Sequence, residues 1–342
     1  MLIEELSYDL PESSIAQVPV EPRHDARLLD ARRVGSQGAI DDRVFWELSD
    51  LLFPGDLVVV NTTKVRQARL FGLREDTGGQ VELLVLEPVG DGRWEALIKP
   101  ARRMRRGVRL DVAGVSVEIE SDPIDGKVLV RFGGDAEQLL AEQGVVPLPP
   151  YIHETLEDPG RYQTMFADRI GSAAAPTAAL HFTPHVSERL MAAAIPIVKV
   201  DLHVGLDTFR PIAVNRVEDH QMHSEWFSVP ESTVQAIVET RKAGGRVVAI
   251  GTTVVRSLES AAAGGVLRPS EGRTDLFITP GYPFRVVDDL VTNFHVPGST
   301  LLAMISAFMG PGWREVYSHA IARDYRMLSF GDAMLASRIE RS

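Results

Sequence analysis

Cysteine is absent from this chain, which leaves no disulfide and no thiolate metal site open to it. Long apolar runs are absent too: no stretch of about 18 apolar residues occurs, so no membrane-spanning helix is expected. The first residues, Met1-Leu-Ile-Glu-Glu5, lack the basic-then-apolar order of a secretory signal, and a cytoplasmic location is expected. Cations are in the minority, 36 Lys and Arg against 47 Asp and Glu, for a formal net charge of −11. An acidic balance of this size argues against generic nucleic-acid binding, which calls for a basic surface. Neither a G-x-x-x-x-G-K-[ST] loop nor a G-x-G-x-x-G fingerprint is present, so nucleotide hydrolysis and ordinary dinucleotide binding have no support. H-E-x-x-H is missing as well, and with it a familiar zinc-hydrolase arrangement.

What the chain does have is length and two textures. Its 342 residues, 44% apolar and 24% charged, suffice for a large core and two domains. Tyr8 to Arg27 is proline-rich and reads as an extended arm or ordered loop. Asp42 to Leu52 has helical spacing at Val44, Phe45, Leu48, Leu51 and Leu52, and Pro54-Gly55 stops it. Leu57 to Val60 is a short buried strand leading to Asn61-Thr-Thr-Lys64, which either binds a ligand or shapes a turn. From Ala68 to about Phe132, short β-branched runs alternate with turn signals such as Gly78-Gly79 and Asp91-Gly92, the pattern of a small antiparallel barrel or sandwich. Past Leu148-Pro-Pro150 strands alternate with helices: Ile197–Val204, Glu231–Ala243, Arg246–Ile250, Val254–Ala263, Leu276–Ile278, Leu290–Phe294, Thr300–Met309 and Arg314–Arg323. The expected fold class is therefore α/β, a mainly parallel sheet with flanking helices over 1–66 and 148–342, with an inserted small antiparallel β-barrel over 67–147.

Ligands of such a sheet gather at the C-terminal ends of its strands. Those ends carry His203-Val-Gly-Leu-Asp207, Gly251-Thr-Thr253 and Asn293-Phe-His295. In the first strand Lys199, Asp201 and His203 share one face and Val198, Val200, Leu202 and Val204 the other. The long run of small residues Gly171-Ser-Ala-Ala-Ala-Pro-Thr-Ala-Ala-Leu-His-Phe-Thr183 suits a loop whose backbone approaches a ligand closely; an Ala-rich packing segment is the alternative. Thr183-Pro184 reads as an N-cap and first helical residue, with Val186, Leu190 and Met191 on the inner side, which places His181 just before a helix start that favours anions. Five of nine histidines fall between His181 and His223. His220-x-x-His223 near Glu225 invites a zinc reading, but no periodic face fixes two ligands, and no metal is expected. Imidazoles near carboxylates suit general acid–base work instead. Inside the barrel texture, Lys99, Arg102, Arg103, Arg105, Arg106 and Arg109 put six cations into eleven residues; the block is either a phosphate-backbone contact or a solvated hairpin tip.

Eight stretches in order resemble the motifs of the S-adenosylmethionine:tRNA ribosyltransferase-isomerase family of the queuosine pathway. They are Asn61-Thr-Thr-Lys-Val-Arg-Gln-Ala-Arg-Leu70, Trp94-Glu-Ala-Leu-Ile-Lys-Pro-Ala-Arg102, Gly171–Thr183, Leu202–Pro211, His220-Gln-Met-His-Ser-Glu225, Gly251-Thr-Thr-Val-Val-Arg256, Thr292-Asn-Phe-His-Val-Pro297 with Ser299-Thr300, and Tyr325 with Gly331-Asp-Ala-Met-Leu335. The chain departs from the family's usual residues at Thr62 (Asp), Ala179 and Asp207 (Gly) and Gly298 (Lys).

The resemblance implies an α/β domain with an inserted barrel. It also implies an enzyme that moves the ribosyl group of S-adenosylmethionine, rearranged, onto 7-aminomethyl-7-deazaguanine in a tRNA anticodon. Adenine and methionine leave and epoxyqueuosine is formed. S-adenosylmethionine is then the ribosyl donor and tRNA the partner, without metal or membrane. Such a reaction needs a base for the ribose carbon beside the sulfonium, a proton for departing adenine, a neutral amine, and anchors for the donor. Candidates for proton transfer are His203 and His181, with His223 and His295 as alternates, and Asp201 or Glu225 to orient an imidazole. Thr252, Thr253 and Arg256 are candidates for the methionine carboxylate, and Phe182 and Phe294 for stacking on adenine. Ala175, Pro176, Thr177, Thr183 and Asn293 complete the expected donor-binding set, and Lys99 with the five arginines above the expected tRNA contact. The same chemistry on a free deazapurine base or nucleoside is one alternative; a non-catalytic S-adenosylmethionine- or RNA-binding module is another.

Overall fold

The structure is a computed structural model describing residues 1–34, 40–124, 126–205, 212, 214–222 and 224–339. The chain divides into two compact units, Met1–Lys64 with Pro149–Ser342, and Val65–Leu148. The first unit opens with β1 (Arg27–Asp30), β2 (Asp41–Val44), α1 (Leu48–Leu51), β3 (Leu57–Asn61) and β4 (Thr63–Val65). The second holds β5 (Arg69–Arg74), β6 (Gln80–Gly90), β7 (Arg93–Lys99), β8 (Arg109–Val112), β9 (Val115–Ile119), β10 (Lys127–Phe132) and α2 (Ala136–Gln143). Returning to the first unit, the chain forms β11 (Arg169–Ser172), α3 (Pro184–Ala192), β12 (Ile197–Leu202), β13 (Glu225–Val229), α4 (Glu231–Lys242) and β14 (Val247–Ile250). It closes with α5 (Thr252–Ala261), β15 (Ser270–Thr274), β16 (Asp289–Asn293), α6 (Thr300–Met309), α7 (Trp313–Ala322) and β17 (Ala333–Ser337).

Nine strands of the first unit make one sheet in the order β15-β13-β12-β3-β14-β16-β17-β1-β2. Its centre, β12-β3-β14-β16, is parallel throughout, and β17-β1 is parallel as well. The remaining ladders, at both edges and between β16 and β17, are antiparallel. The α/β reading holds, with a parallel core and mixed flanks. Strands β3, β14 and β16 are buried at every residue, because a central strand with both faces covered must be apolar on both. No helix among the described residues is long and apolar enough to cross a membrane.

The second unit is a closed antiparallel barrel in the order β10-β7-β6-β5-β8-β9, with Leu70, Val81, Leu83, Ile98, Leu110 and Val117 among its buried residues. Closure removes sheet edges altogether. Arg69 and Val145, near its two ends, exchange backbone hydrogen bonds at 3.0 and 2.8 Å.

Four local expectations are corrected. Asp42–Val44 is not the start of a helix but strand β2, paired antiparallel with β1, and only Leu48–Leu51 is α-helical. Helix α3 buries Val186 and Leu190 as expected but leaves Met191 74% exposed. Leu276–Ile278 is irregular; the strand in that region is Ser270–Thr274, whose polar residues carry no alternating apolar signal. Helix α2 and strand β17 have no counterpart in the sequence reading.

Candidate active site

The parallel core brings the ends of β12, β14 and β16 to one rim, and a cleft opens there, within the first unit. It encloses about 720 Å³ of empty space, its open mouth included. One wall is the small-residue loop, through Ala175, Pro176, Thr177 and Ala178. Another is the start of α5: Gly251 takes φ +93°, a backbone that a side chain would strain, and Thr252 and Thr253 follow it into the cleft. The third combines Thr292–Val296 with the start of α6, where the Ser299 hydroxyl accepts from the Leu302 amide at 3.2 Å. Two helix starts therefore face one cleft, and unpaired amides at helix starts favour an anion. Thr177 donates its hydroxyl to Asn293 Oδ1 at 2.8 Å, which fixes the loop to the end of β16. Asn61 is fully used in the fold: its amide donates to Leu202 O and Thr253 Oγ1, and its oxygen accepts from Thr63 and Leu202.

The histidines separate. His295 lines the cleft, with Nε2 3.0 Å from Thr292 Oγ1, its backbone amide donating to Tyr317 and its carbonyl accepting from Tyr8. Burial pushes its pKa down to about 3. His181 is buried behind the loop wall, tilted against Phe45 at 4.9 Å, with Nε2 3.3 Å from the Asn293 amide. Burial lowers it to about 4, against a weaker opposing hydrogen bond to the Arg23 backbone. Both are neutral near pH 7, so neither holds a proton ready to give. His181 does sit just before the start of α3, as the sequence suggested, with its ring against Phe45 and Asn293.

His203 is arranged differently. It follows β12, one residue before the cleft-lining Val204, and side chains alternate there, so it turns to the opposite side. Its Nε2 lies 3.7 Å from Asp201 Oδ2, and its ring is 4.5 Å from that of Trp226. Gly171 sits under this ring: a Cβ there would fall 2.2–2.4 Å from ring atoms. Arg169 lies over Trp226 at 5.0 Å and reaches within 3.9 Å of Asp201. Both Asp201 oxygens are buried without a hydrogen-bond partner among the described residues. Asp201 thus stands buried between the Arg169 guanidinium and a quarter-exposed imidazole, at ion-pair but not hydrogen-bond distance from both.

Several expected donor-binding residues are occupied elsewhere. Arg256 lines the cleft, but its guanidinium is committed to Glu225 Oε2 and the backbone oxygens of Leu276 and Thr274. Glu225 Oε1 accepts from the Gly205 amide at 2.6 Å, so Glu225 is not available to orient an imidazole. Phe182 is a core residue, edge-on to Phe45 and Phe166, and does not line the cleft. Phe294 does line the cleft while its ring packs edge-on against Tyr317 and Tyr325. Thr183 occupies the N-cap position of α3 without capping it; its hydroxyl meets His24 Nδ1 at 2.8 Å. The sequence reading omitted Tyr151 and Ser329, cleft residues whose hydroxyls meet at 2.7 Å across 178 residues of chain. No local pattern marks either.

A family model described as "Queuosine biosynthesis protein" matches residues 3–336. The chain belongs to this family. It is 49% identical over 98% of its length to the S-adenosylmethionine:tRNA ribosyltransferase-isomerase of Symbiobacterium thermophilum, covering 99% of that protein. It is 48% identical to the enzyme of that name from Heliobacterium modesticaldum, over 96% of this chain and 97% of that one. Among solved structures, the S-adenosylmethionine tRNA ribosyltransferase of Thermotoga maritima superposes with a TM-score of 0.56 at 36% identity, covering 97% of this chain and 99% of that one.

Three of the departures from the usual family residues are accommodated locally. The Thr62 hydroxyl donates to Val200 O at 3.1 Å. Ala179 is fully buried in the short 3-10 turn Thr177–His181, where φ is not positive and its methyl adds to the core. Gly298 takes φ +67°. Asp207 and His223 lie outside the described residues. His220 packs edge-on against Phe277, and no group of three or more potential ligands forms a metal site among the described residues. In the barrel, Lys99, Arg102, Arg103, Arg105, Arg106 and Arg109 are all exposed, while Met104 between them is buried and anchors the turn.

Proposed function

We propose that this cytoplasmic enzyme transfers the ribosyl group of S-adenosylmethionine, with isomerisation, to 7-aminomethyl-7-deazaguanine in the anticodon of a tRNA, releasing adenine and methionine. The observation that carries the reading is end-to-end similarity to ribosyltransferase-isomerases at 48–49% identity. The cleft suits the donor: the starts of α5 and α6, with Thr252, Thr253 and Ser299, meet a carboxylate, and Ala175, Pro176 and Phe294 offer apolar surface to adenine. Among the described candidate histidines, His203 alone combines a carboxylate neighbour with partial exposure; its ring lies beside the cleft lining and not in it, so it takes the role of base for a ribose that extends past Val204. The neutral His295 serves as a hydrogen-bonding wall. Exposed Lys99, Arg102, Arg103, Arg105, Arg106 and Arg109 supply the phosphate contacts that an acidic chain needs for tRNA.

Incubation with S-adenosylmethionine and tRNA carrying the aminomethyl-deazaguanine, followed by mass spectrometry of the nucleoside digest, is the direct test. Epoxyqueuosine with equimolar adenine is expected. Product formed only from the free base or nucleoside would move the assignment to a small acceptor, and no adenine release with any of them would reject catalysis.

A further inference from the structure

We infer that the outer wall of the barrel carries a stacking site for an unpaired base of the tRNA substrate, centred on Phe71 and bordered by the cationic turn that follows β7. The inference rests on the tRNA reading above and adds to it a second kind of contact. In a closed barrel alternate residues point inward and fill the core. Strand β5 obeys this with Leu70 fully buried, yet its outward positions hold Phe71, 59% exposed, and Leu73, 46% exposed. Neither contributes to the barrel core. Two large apolar side chains, two residues apart on a solvent face, form a surface patch that packing does not explain.

The register shows what stands beside them. Phe71 pairs with Glu82 on β6, and Glu82 pairs with Lys99 on β7, so the three lie abreast on the outer face. At about 4.8 Å per strand the backbone of Lys99 is roughly 10 Å from that of Phe71. A groove runs between them, bounded by Phe71, Leu73, Lys99 and Pro100. Its one carboxylate, Glu82, is already paired with Arg69 at 3.0 Å, so it does not repel an anion as a bare charge would. The basic turn is tied to the same strand: Arg74, at the end of β5, donates through Nη1 to Arg103 O at 2.9 Å. An aromatic face flanked on one side by Lys99 and an exposed cationic turn matches single-stranded nucleic acid, whose bases stack while phosphates follow the charge. A peptide or a second copy of this acidic chain would meet the apolar residues but gain less from six clustered cations.

The experiment uses the full-length protein and tRNA carrying the acceptor base, with affinity measured by anisotropy at several salt concentrations. Phe71→Ala is expected to raise Kd roughly 5- to 100-fold without changing the salt slope, because a stacked base is lost and no phosphate contact is. The exposed ring leaves no cavity in the barrel, and S-adenosylmethionine affinity should stay at the parent value. Phe71→Trp should bring tRNA affinity back to within about twofold of the parent, since any π face supports stacking. Replacing Arg102, Arg103, Arg105 and Arg106 with Ser should instead make the log–log salt slope shallower by about one unit per lost contact. If Phe71→Ala binds tRNA like the parent while the arginine variant is weakened, the stacking site is wrong and the tRNA reading stands. Phe71→Trp binding no better than Phe71→Ala also overturns it. If neither the alanine nor the arginine variant changes tRNA binding, both the site and the barrel's part in the tRNA reading fall.

Discussion

At the scale of single residues, Gly171 decides where the His203 imidazole can lie. The ring occupies the volume that any side chain at 171 would need, so Gly171→Ala is expected to displace it from its place beside Asp201 without removing it. This separates the position of the imidazole from its presence. His203→Ala is expected to lower turnover roughly 10²–10⁴-fold while S-adenosylmethionine binds within a few-fold of the parent. Gly171→Ala should show the same signature, a loss in kcat with little change in donor Kd, measured by adenine release and titration calorimetry. Normal turnover in Gly171→Ala would remove the His203–Asp201 pair from the mechanism. The nearness of these two residues was legible in the sequence, because a period of two along Ile197–Val204 puts both on one face. The commitment of Arg256 to Glu225 was not, since the partners stand 31 residues apart and only the pairing of β12 with β13 and α5 brings them together. Phe182 misled for a related reason: an aromatic ring beside a binding loop has the same letter whether it faces ligand or core.

At the scale of elements, the sheet's parallel centre is fastened at the end away from the cleft. Arg246, just before β14, reaches Asp56 at 2.6 Å ahead of β3 and Asp289 at 2.7 Å at the start of β16. Both carboxylates are nearly inaccessible, whereas Arg246 is 29% exposed. Arg246→Met leaves two buried negative charges without their partner, a loss expected to cost about 3–5 kcal/mol. Urea unfolding followed by far-UV circular dichroism measures it. A loss under about 1 kcal/mol would mean that water reaches the carboxylates and that the cluster is not what holds these strand starts together. The elements themselves were most legible where burial is complete: α6 was bounded correctly at Thr300 and Met309 because a predominantly apolar run ends on Gly310-Pro311. They were least legible at sheet edges. The apolar spacing of Val44, Phe45 and Leu48 fits a helix, but pairing with β1 at Arg27–Asp30 draws Asp41–Val44 into a strand, and tertiary contact overrides the local period.

At the scale of the molecule, two textures in the sequence, expected to part at 66/67 and 147/148, meet two compact units that part at 64/65 and 148/149; the change was visible because strand spacing gives way to alternating strands and helices. The barrel has its own core and no open edge, and Arg69 and Val145 join its ends. We expect an excised Val65–Leu148 fragment to fold alone, giving a dispersed amide spectrum and cooperative thermal unfolding. A collapsed, poorly dispersed spectrum would show that the barrel depends on the rest of the chain.

That short clasp between Arg69 and Val145 has a consequence for descent. Because the chain leaves the barrel beside the point where it came in, the insertion has closely spaced ends whatever lies between them. Lineages can lengthen, trim or recharge the barrel's hairpins while β3 keeps its register against β12 and β14. Changes in hairpin length or charge between residues 69 and 145 therefore leave the span between the chain's exit from β4 and its return at Pro149 as it was.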